Sequence, residues 1–266
     1  MPDRRFVFLA GLHRSGTTLL GRCLAEHPLV SGFSDTGVPA DEGQHLQRVY
    51  PPGKVYGGPG RFAFSPEAHL TEDSPLVSDQ SRELLLAEWS PHWDLERPYL
   101  LEKSPPNLVR TRFLLALFPG ALFVVVTRHP IPVSYATQKW RWRMSLRDLV
   151  RHWVVAHRLF EEDEPHLENL IVVRFERFIR EPDACLAQVY DFLGLDPVPT
   201  ALDVRPDGND RYFERWRNER RSLRRGLSLR GLRRELEPQV RELGYSLEDL
   251  DAVPDGYARS MPRSRA

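Results

Sequence analysis

Short apolar segments alternate along the chain with longer segments in which apolar residues recur every three or four positions. The apolar segments are rich in valine, leucine and phenylalanine, which is typical of strands buried on both faces. They lie at residues 6–10, 99–102, 121–127 and 170–175. The helical spacing predicts helices at residues 17–26, 76–90, 107–118, 146–162, 183–193 and 232–243. This alternation predicts an α/β fold with a central, mostly parallel β-sheet flanked by helices.

The 266 residues contain neither an internal repeat nor a sharp change in composition. We therefore expect a single domain, with an α/β core at residues 6–195 and a helical, arginine-rich part at residues 196–266. No strand is expected after Val204. Residues 31–75 are rich in glycine and proline but also carry aromatic residues. A long ordered loop of this kind is usually functional, so we expect it to face the substrate.

The overall composition argues against several classes of function. The 37 basic and 37 acidic side chains balance, which disfavours a nucleic-acid-binding protein that works through bulk charge. No apolar stretch approaches the roughly 20 residues needed to cross a bilayer, and no segment fits a signal peptide. We expect Cys23 and Cys185 to be buried free thiols, and the protein to be cytoplasmic. No Cys/His spacing indicates a metal site, and a homodimer is left open.

A glycine-containing loop follows the first predicted strand and leads into the first predicted helix. Residues 11–18 have the spacing of a phosphate-binding P-loop, except that Thr17 stands where a lysine is expected. Backbone N–H groups of such a loop, with the positive end of the following helix, form a cradle for an anion. Arg14 can add a forked contact, and Thr17 and Thr18 supply hydroxyls. Because the lysine is missing, an anion other than ATP is expected.

Arg128 directly follows the clearest predicted strand, at residues 121–127. Ligands of open α/β sheets bind at the carboxyl ends of the strands, so an arginine there is well placed to bind an anion. Ser134 and Thr137 lie three residues apart in the next predicted helix, hence on one face. Either hydroxyl can therefore join Arg128 at the same anion.

These motifs together resemble those of the PAPS-dependent sulfotransferase superfamily. The resemblance rests on the loop at residues 11–18, the Arg-His-Pro turn at 128–130 and further segments similar to bacterial members. Those segments lie at residues 101–107, 117–121, 173–176 and 192–195. The match covers most of residues 6–195. It implies a P-loop-like fold that takes a sulfuryl group from PAPS and releases PAP.

The resemblance also implies a donor site divided between two loops. Residues of the first loop would hold the 5′-phosphosulfate; they are His13, Arg14, Ser15, Gly16, Thr17 and Thr18. Arg128 would hold the 3′-phosphate together with a nearby hydroxyl. The serine that the family usually carries eight residues after this arginine is Ala136 here. Ser134 or Thr137 therefore has to replace it.

Lys103 lies at a strand-to-helix turn, where a lysine can neutralise charge that builds on the departing phosphate. An ion pair with Glu102 or another carboxylate is its alternative role. The catalytic histidine that cytosolic members carry two residues later is Pro105 here. The proton acceptor is therefore expected in the long loop. The candidates, with the preferred one first, are Glu42, His45, Asp35 and Asp41.

Tyr212 and Trp216 lie four residues apart in the arginine-rich C-terminal part. Such a charged run is usually a solvated helix face with aromatic anchors. The resemblance suggests instead a flap over the 3′-phosphate and adenine, to which Arg215 or Arg217 contributes.

The expected function is in-line transfer of a sulfuryl group from PAPS to a hydroxyl or amine of a small-molecule acceptor. An ATP-dependent P-loop kinase is the first alternative, but it requires a lysine at the position of Thr17 and an acidic strand end for magnesium. A non-catalytic module that binds PAP or another anion is the second alternative. It would not need a lysine and a carboxylate facing the donor. Neither a nucleic acid nor a membrane is expected as a partner.

Overall fold

The structure, a computed structural model, describes residues 4–254 and, through their backbone, residues 257–260. In this part of the chain six strands form one sheet, in the order β2-β3-β1-β4-β5-β6. They are β1 (Arg5–Gly11), β2 (Val30–Gly32), β3 (Tyr99–Lys103), β4 (Leu122–Thr127), β5 (Asn169–Arg174) and β6 (Tyr257–Ser260). The first five are parallel to one another, and β6 pairs antiparallel with β5. The predicted α/β fold with a mostly parallel sheet is confirmed.

Helices cover both faces of this sheet. They are α1 (Thr17–Ala25), α2 (Asp79–Trp89), α3 (Thr111–Leu117), α4 (Pro130–Gln138), α5 (Leu146–Asp163), α6 (Phe175–Arg180), α7 (Pro182–Leu193), α8 (Asp210–Arg221) and α9 (Leu223–Glu242). The predicted long loop between β2 and α2 folds into short 3₁₀ turns. The first two, Pro39–Asp41 and Gly43–His45, lie near the carboxyl edge of the sheet through contacts described below.

Successive residues of β1 pack on opposite faces of the sheet, as the two-residue period of a strand requires. Phe6 and Phe8 belong to the core that includes residues of α2, α3 and α5. Val7 and Leu9 belong to a second core with residues of α1 and α7. Phe8 is fully buried, and truncating such a residue to alanine typically costs about 3–5 kcal/mol. The uninterrupted apolar segment predicted at residues 6–10 is thus explained by burial on both sides.

Some elements differ from the sequence prediction. β2 is only three residues long and ends in glycine, so no periodic pattern marks it. β6 contradicts the expectation that no strand follows Val204. It forms by pairing with the edge of β5 and carries no apolar alternation. The helix predicted at residues 107–118 is divided into a 3₁₀ turn at Pro105–Val109 and α3, and the one at 232–243 is the second half of α9.

Cys23 and Cys185 are both buried and free, as predicted. The thiol of Cys23 accepts a hydrogen bond from the hydroxyl of Thr200, 3.4 Å away. Among the helices of the described residues, none combines the length and the apolar character that crossing a membrane requires.

Candidate active site

The carboxyl ends of β1, β3 and β4 meet at one edge of the sheet. Leu9 of β1 lies beside Lys103 of β3, and Gly11 of β1 lies beside Val126 of β4. Because the strands are parallel, the segments that follow them emerge on the same side. The register therefore brings together the loop at residues 11–18, called the donor loop below, with Lys103 and Arg128.

Two glycines allow the donor loop to pass closely over its neighbours. Gly11 and Gly16 have positive φ angles of 148° and 107°. A Cβ on Gly11 would lie 2.4 Å from the carbonyl oxygen of Val126, and one on Gly16 would lie 2.3 Å from the ring of Phe175. Both positions therefore require glycine for conformational and steric reasons.

The N-terminus of α1 has the features of an anion cradle. Its N-cap is Gly16, and no side chain caps it. The first N–H groups of a helix have no partner within the helix, so here they can donate to a ligand. The hydroxyl of Ser15 is buried and has no hydrogen-bond partner in the described structure. Together these donors suit a phosphate-like or sulfate-like group.

Arg128 is only 7% exposed and connects the donor loop to the segment before α8. Its Nη1 donates to the carbonyl oxygen of Arg14 at 2.8 Å and its Nη2 to that of Gly208 at 2.7 Å. Its Nε donates to Oδ1 of Asn209 at 2.8 Å, and its guanidinium lies 4.1 Å from the centroid of the Phe175 ring. Burial lowers the pKa of Arg128 to about 10, which leaves the side chain charged at neutral pH.

Ser134 and Thr137, the hydroxyl residues expected to join Arg128, line a small void together with His13 and His152. The void has a volume of about 10 Å³, close to the smallest that holds one water molecule. Oγ of Ser134 and Nδ1 of His13 are buried and lack a hydrogen-bond partner within the described residues. Neither hydroxyl bonds to Arg128 there, so their role at a 3′-phosphate stays a prediction.

Lys103 forms its ion pair with the long loop and not with its neighbour Glu102. Its Nζ donates to the carbonyl oxygen of Ala40 at 2.5 Å and lies 3.8 Å from Oε1 of Glu42. The carboxylate of Glu102 is fully buried and accepts hydrogen bonds from other side chains. The fold thus joins Lys103 to the residue ranked first as proton acceptor.

His13 and His45 complete this group, called the Lys103 cluster below, with Lys103 and Glu42. Nε2 of His45 lies 3.9 Å from Oε2 of Glu42. Burial, with the charges of Lys103 and His45, lowers the pKa of His13 to about 3, so the imidazole is neutral. Burial raises the pKa of Glu42, although the charge of Lys103 opposes the shift. A carboxylate with a raised pKa in such a cluster is typical of a general base.

The sequence profile of the Sulfotransferase family matches residues 7–199. The chain belongs to this family. An uncharacterized protein of Aquifex aeolicus strain VF5 is 24% identical to it over 84% of this chain and 32% of its own length. Protein-tyrosine sulfotransferase 1 of Danio rerio is 24% identical over 73% of this chain and 54% of its own length. The chain therefore spans about half or less of the length of these relatives.

A solved structure shares the fold of this member of the Sulfotransferase family. The crystal structure of sulfotransferase STF9 from Mycobacterium avium aligns with a TM-score of 0.55 over 97% of this chain and 79% of its own. The two sequences are 14% identical over that alignment. The likeness is therefore one of architecture, with the sheet and its flanking helices in common.

Asp35 and Asp41, the remaining candidates for the proton acceptor, line a cavity of about 630 Å³ that Lys103 also borders. Oδ1 of Asp41 accepts hydrogen bonds from the backbone N and the hydroxyl of Thr36, at 2.9 and 2.7 Å. Although burial raises it, these hydrogen bonds and the charge of Lys103 hold the pKa of Asp41 below its usual value. Asp41 is therefore a weaker base than Glu42.

Tyr212 and Trp216, the aromatic residues expected to close over the donor, lie in different surroundings. The ring of Tyr212 is 5.8 Å from the guanidinium of Arg128. Trp216 is fully buried, and its Nε1 donates to the carbonyl oxygen of Leu247 at 3.1 Å. The structure gives Trp216 the contacts of a core residue that anchors α8. Of this pair it brings Tyr212 alone to Arg128.

A buried network behind Glu42 is not predictable from the sequence pattern. The hydroxyl of Ser104 donates to Oε1 of Glu102 at 2.5 Å and accepts from the backbone N of Gln44 at 2.9 Å. Nε2 of Gln44 in turn donates to Oε2 of Glu42 at 2.5 Å. Burial raises the pKa of Glu102 to about 7. The only signal in the sequence is a glutamate that directly follows the apolar residues of β3.

Proposed function

We propose that this chain transfers a sulfuryl group from PAPS to a hydroxyl or amine of a small-molecule acceptor and releases PAP. The observation that carries the proposal is the contact between Lys103 and Glu42, with Nζ 3.8 Å from Oε1, beside the donor loop. One place thereby holds a cation for the departing phosphate and a carboxylate for the acceptor's proton. Membership of the Sulfotransferase family supports the same reaction.

The residues at the ends of β1 and β4 fit a donor that carries a phosphosulfate and a 3′-phosphate. The uncapped N-terminus of α1 and the unpartnered hydroxyl of Ser15 suit the phosphosulfate. The buried, charged guanidinium of Arg128 suits the 3′-phosphate, with Ser134 or Thr137 as a second ligand. When bound, PAPS supplies the activated sulfuryl group.

Glu42 and Lys103 have distinct chemical tasks in this proposal. Glu42 would accept the acceptor's proton while the new bond from oxygen or nitrogen to sulfur forms. Because burial raises its pKa, Glu42 binds that proton more tightly than an exposed glutamate does. Lys103, with the N-terminus of α1, would stabilise the negative charge on the phosphate oxygen that leaves sulfur. His45 is the second candidate for the proton acceptor.

The two alternatives fit the site less well. A P-loop kinase needs a lysine in the loop and an acidic residue at a strand end for magnesium, whereas Thr17 and Arg128 occupy these places here. A non-catalytic anion-binding module has no use for the buried contact between Lys103 and Glu42. Burying a charged pair is costly, so a site that retains one without a chemical task is less expected.

Calorimetry combined with a turnover assay tests the proposal. The protein is titrated with PAP and with ATP, and PAP release from PAPS is followed with a panel of phenols, alcohols and amines. The name of the Danio rerio relative makes a phenol the first acceptor to examine. We expect PAP to bind at least about tenfold more tightly than ATP, and at least one acceptor to be sulfated. Preference for ATP would refute the donor site, and tight PAP binding without any turnover would favour the non-catalytic module.

A further inference from the structure

The side chain of Gln44 joins the proposed base to a second part of the long loop. Gln44 is only 2% exposed. Its Nε2 donates to Oε2 of Glu42 at 2.5 Å, and its Oε1 accepts from the backbone N of Gly53 at 2.8 Å. Burying an amide costs free energy unless its polar atoms are hydrogen-bonded, and here both ends of the amide have a partner.

The contact with Gly53 decides which way round the amide of Gln44 lies. A backbone N–H can only donate, so the atom of Gln44 that faces Gly53 has to be the oxygen. The NH₂ group therefore faces Glu42, to which it can only donate. An ionised carboxylate accepts such a hydrogen bond more strongly than a protonated carboxyl group does. The contact consequently favours the ionised form of Glu42, which is the form that accepts a proton.

The backbone around Gln44 is fixed by contacts of its own. The backbone N of Gln44 donates to Oγ of Ser104 at 2.9 Å, and the carbonyl oxygen of Gly43 accepts from Nε1 of Trp89 at 3.0 Å. A Cβ on Gly43 would lie 2.4 Å from Oε1 of Glu102, so the loop passes directly over the end of β3. The segment that directly follows the proposed base is therefore anchored to the sheet.

The two carboxylate oxygens of Glu42 have different surroundings as a result. Oε2 is held by Gln44 and lies 3.9 Å from Nε2 of His45. Oε1 lies 3.8 Å from Nζ of Lys103 and accepts no hydrogen bond from the described residues. The buried carboxyl group of Glu102 is a further titratable group that interacts with Glu42. Oε1 is thus the oxygen that is available to an acceptor.

We infer that Gln44 is a positioning residue for sulfuryl transfer: its amide holds Oε2 of Glu42, keeps the carboxylate ionised and leaves Oε1 for the acceptor's proton. The inference rests on the proposed function and adds the residue that orients its base. Gln44 touches neither donor nor acceptor in this assignment and acts through Glu42. Burial raises the pKa of Glu42, and both the charge of Lys103 and the hydrogen bond from Gln44 oppose that shift. Removing the hydrogen bond should therefore raise the pKa of Glu42 further.

Two substitutions of Gln44 test this role through the pH dependence of PAP release from PAPS. Gln44→Met keeps the length of the side chain but removes the hydrogen bond to the carboxylate. The acid limb of kcat/KM should move upwards by about one pH unit, which is a loss of about tenfold on that limb. Gln44→Glu keeps an oxygen for Gly53, so it also serves if the methionine variant does not fold. It should move the acid limb further, because two adjacent carboxylates resist ionising together.

Gln47→Met is the matched control for these variants. Gln47 lies in the same loop, and its amide bonds to the backbone of Gln44 and Tyr50 but not to Glu42. Gln47→Met should leave the acid limb in place. Gln44→Met is also introduced into Glu42→Gln, where it should lower kcat by less than about twofold, because the carboxylate that it orients is already gone. The affinity for PAP, measured by calorimetry, should stay within about twofold of the wild-type value in all Gln44 variants.

An acid limb that stays in place in the Gln44 variants would overturn the inference. So would an equal shift in Gln47→Met, or a loss of kcat in the Glu42→Gln background as large as in the wild type, since either result would make Gln44 a structural anchor only. Failure of the proposed function looks different, because the wild type would then neither bind PAP nor release it from PAPS. An NMR titration of the Glu42 carboxyl carbon reads the effect of Gln44 on the pKa of Glu42 without turnover, so the two failures can be told apart.

Discussion

Replacing Glu42 by glutamine is expected to remove most of the catalytic activity while leaving the site assembled. Glutamine keeps the length of the side chain and an oxygen for the hydrogen bond from Gln44, but it removes the carboxylate that faces Lys103. General-base catalysis typically contributes about 10²- to 10⁴-fold to a rate. We therefore expect kcat to fall by that factor, which corresponds to about 3–5 kcal/mol of activation free energy.

The effect of Glu42→Gln on stability should be much smaller. A charge separation of 3.8 Å between Glu42 and Lys103 corresponds to about 4 kcal/mol of attraction at an effective dielectric constant of about 20. The raised pKa of Glu42 means that the cost of burying the carboxylate exceeds this gain. Ionised Glu42 therefore destabilises the fold as the pH rises through its pKa in the folded protein. A neutral glutamine should change the free energy of unfolding by less than about 2 kcal/mol.

The assay is PAP release from PAPS, followed as a function of pH. If Glu42 must be ionised to accept a proton, wild-type kcat/KM rises with pH through the raised pKa of Glu42, and Glu42→Gln lacks this acid limb. Asp41→Asn is the matched control, since the neighbouring carboxylate is bonded to Thr36 instead. The kcat/KM of Asp41→Asn should stay within about threefold of the wild-type value. Urea unfolding and PAP calorimetry on the same variants show whether a loss of activity comes from the catalytic step or from a loss of stability or donor binding.

The reasoning fails if Glu42→Gln keeps the acid limb and loses less than about tenfold in kcat. If His45→Gln shows the larger loss instead, His45 is the proton acceptor. In that case the contact between Lys103 and Glu42 serves only to position the long loop.

Three further predictions concern the donor loop and its surroundings. Arg128→Ala should weaken the binding of PAP about 10- to 100-fold. It should weaken the binding of adenosine 5′-phosphosulfate, which lacks the 3′-phosphate, far less. Equal losses of affinity for the two ligands in calorimetry would contradict this role of Arg128. Gly16→Ala brings a methyl group within 2.3 Å of the Phe175 ring and should weaken PAP binding at least about tenfold. Gly120 is also at positive φ, but its added Cβ would have no neighbour within 4 Å, so Gly120→Ala should leave PAP binding unchanged. The pKa of Glu102 is raised to about 7, so the folded protein retains a proton that the unfolded chain releases. Its free energy of unfolding should therefore fall as the pH rises towards 7, and in urea titrations Glu102→Gln should lack this decline.

The central strands were predictable because burial on both faces demands an uninterrupted apolar segment. β1 and β4 each lie between two other strands and beneath helices on both sides, and both match the segments predicted for them. Edge strands carry no comparable signal. β2 has three residues, and β6 is a strand because the edge of β5 offers it hydrogen-bonding partners. These two segments are strands because they pair with a neighbouring strand, and the composition of a segment does not encode that pairing.

Spacing along a helix predicts which residues share a face, but it does not predict what that face contacts. Tyr212 and Trp216 are four residues apart on α8, so they project from the same side. In the structure the two residues on this side have different surroundings. Tyr212 lies near Arg128, whereas Trp216 is buried in the core and hydrogen-bonded to the carbonyl oxygen of Leu247. The resemblance to sulfotransferases pointed to an aromatic contact with the donor. Tertiary packing, which the spacing along the helix does not predict, gives the two rings these different surroundings.

The backbone before Glu42 explains why this residue, and not Asp41, meets Lys103. Ala40 and Asp41 both have left-handed φ angles, of 54° and 50°, a conformation that costs a non-glycine residue about 1–3 kcal/mol and persists only where contacts compensate. The resulting turn directs the carboxylate of Asp41 back to Thr36, while the carbonyl oxygen of Ala40 and the carboxylate of Glu42 both lie next to Lys103. The ammonium group of Lys103 thus contacts both the strained turn, at the carbonyl oxygen of Ala40, and the carboxylate of the proposed base, Glu42. Aspartate tolerates a left-handed φ angle, but Ala40 gives no such signal. The sequence could therefore rank Glu42 first only by the density of polar residues around it. Removing Lys103 should therefore disturb the position of Glu42 as well as the charge of the site.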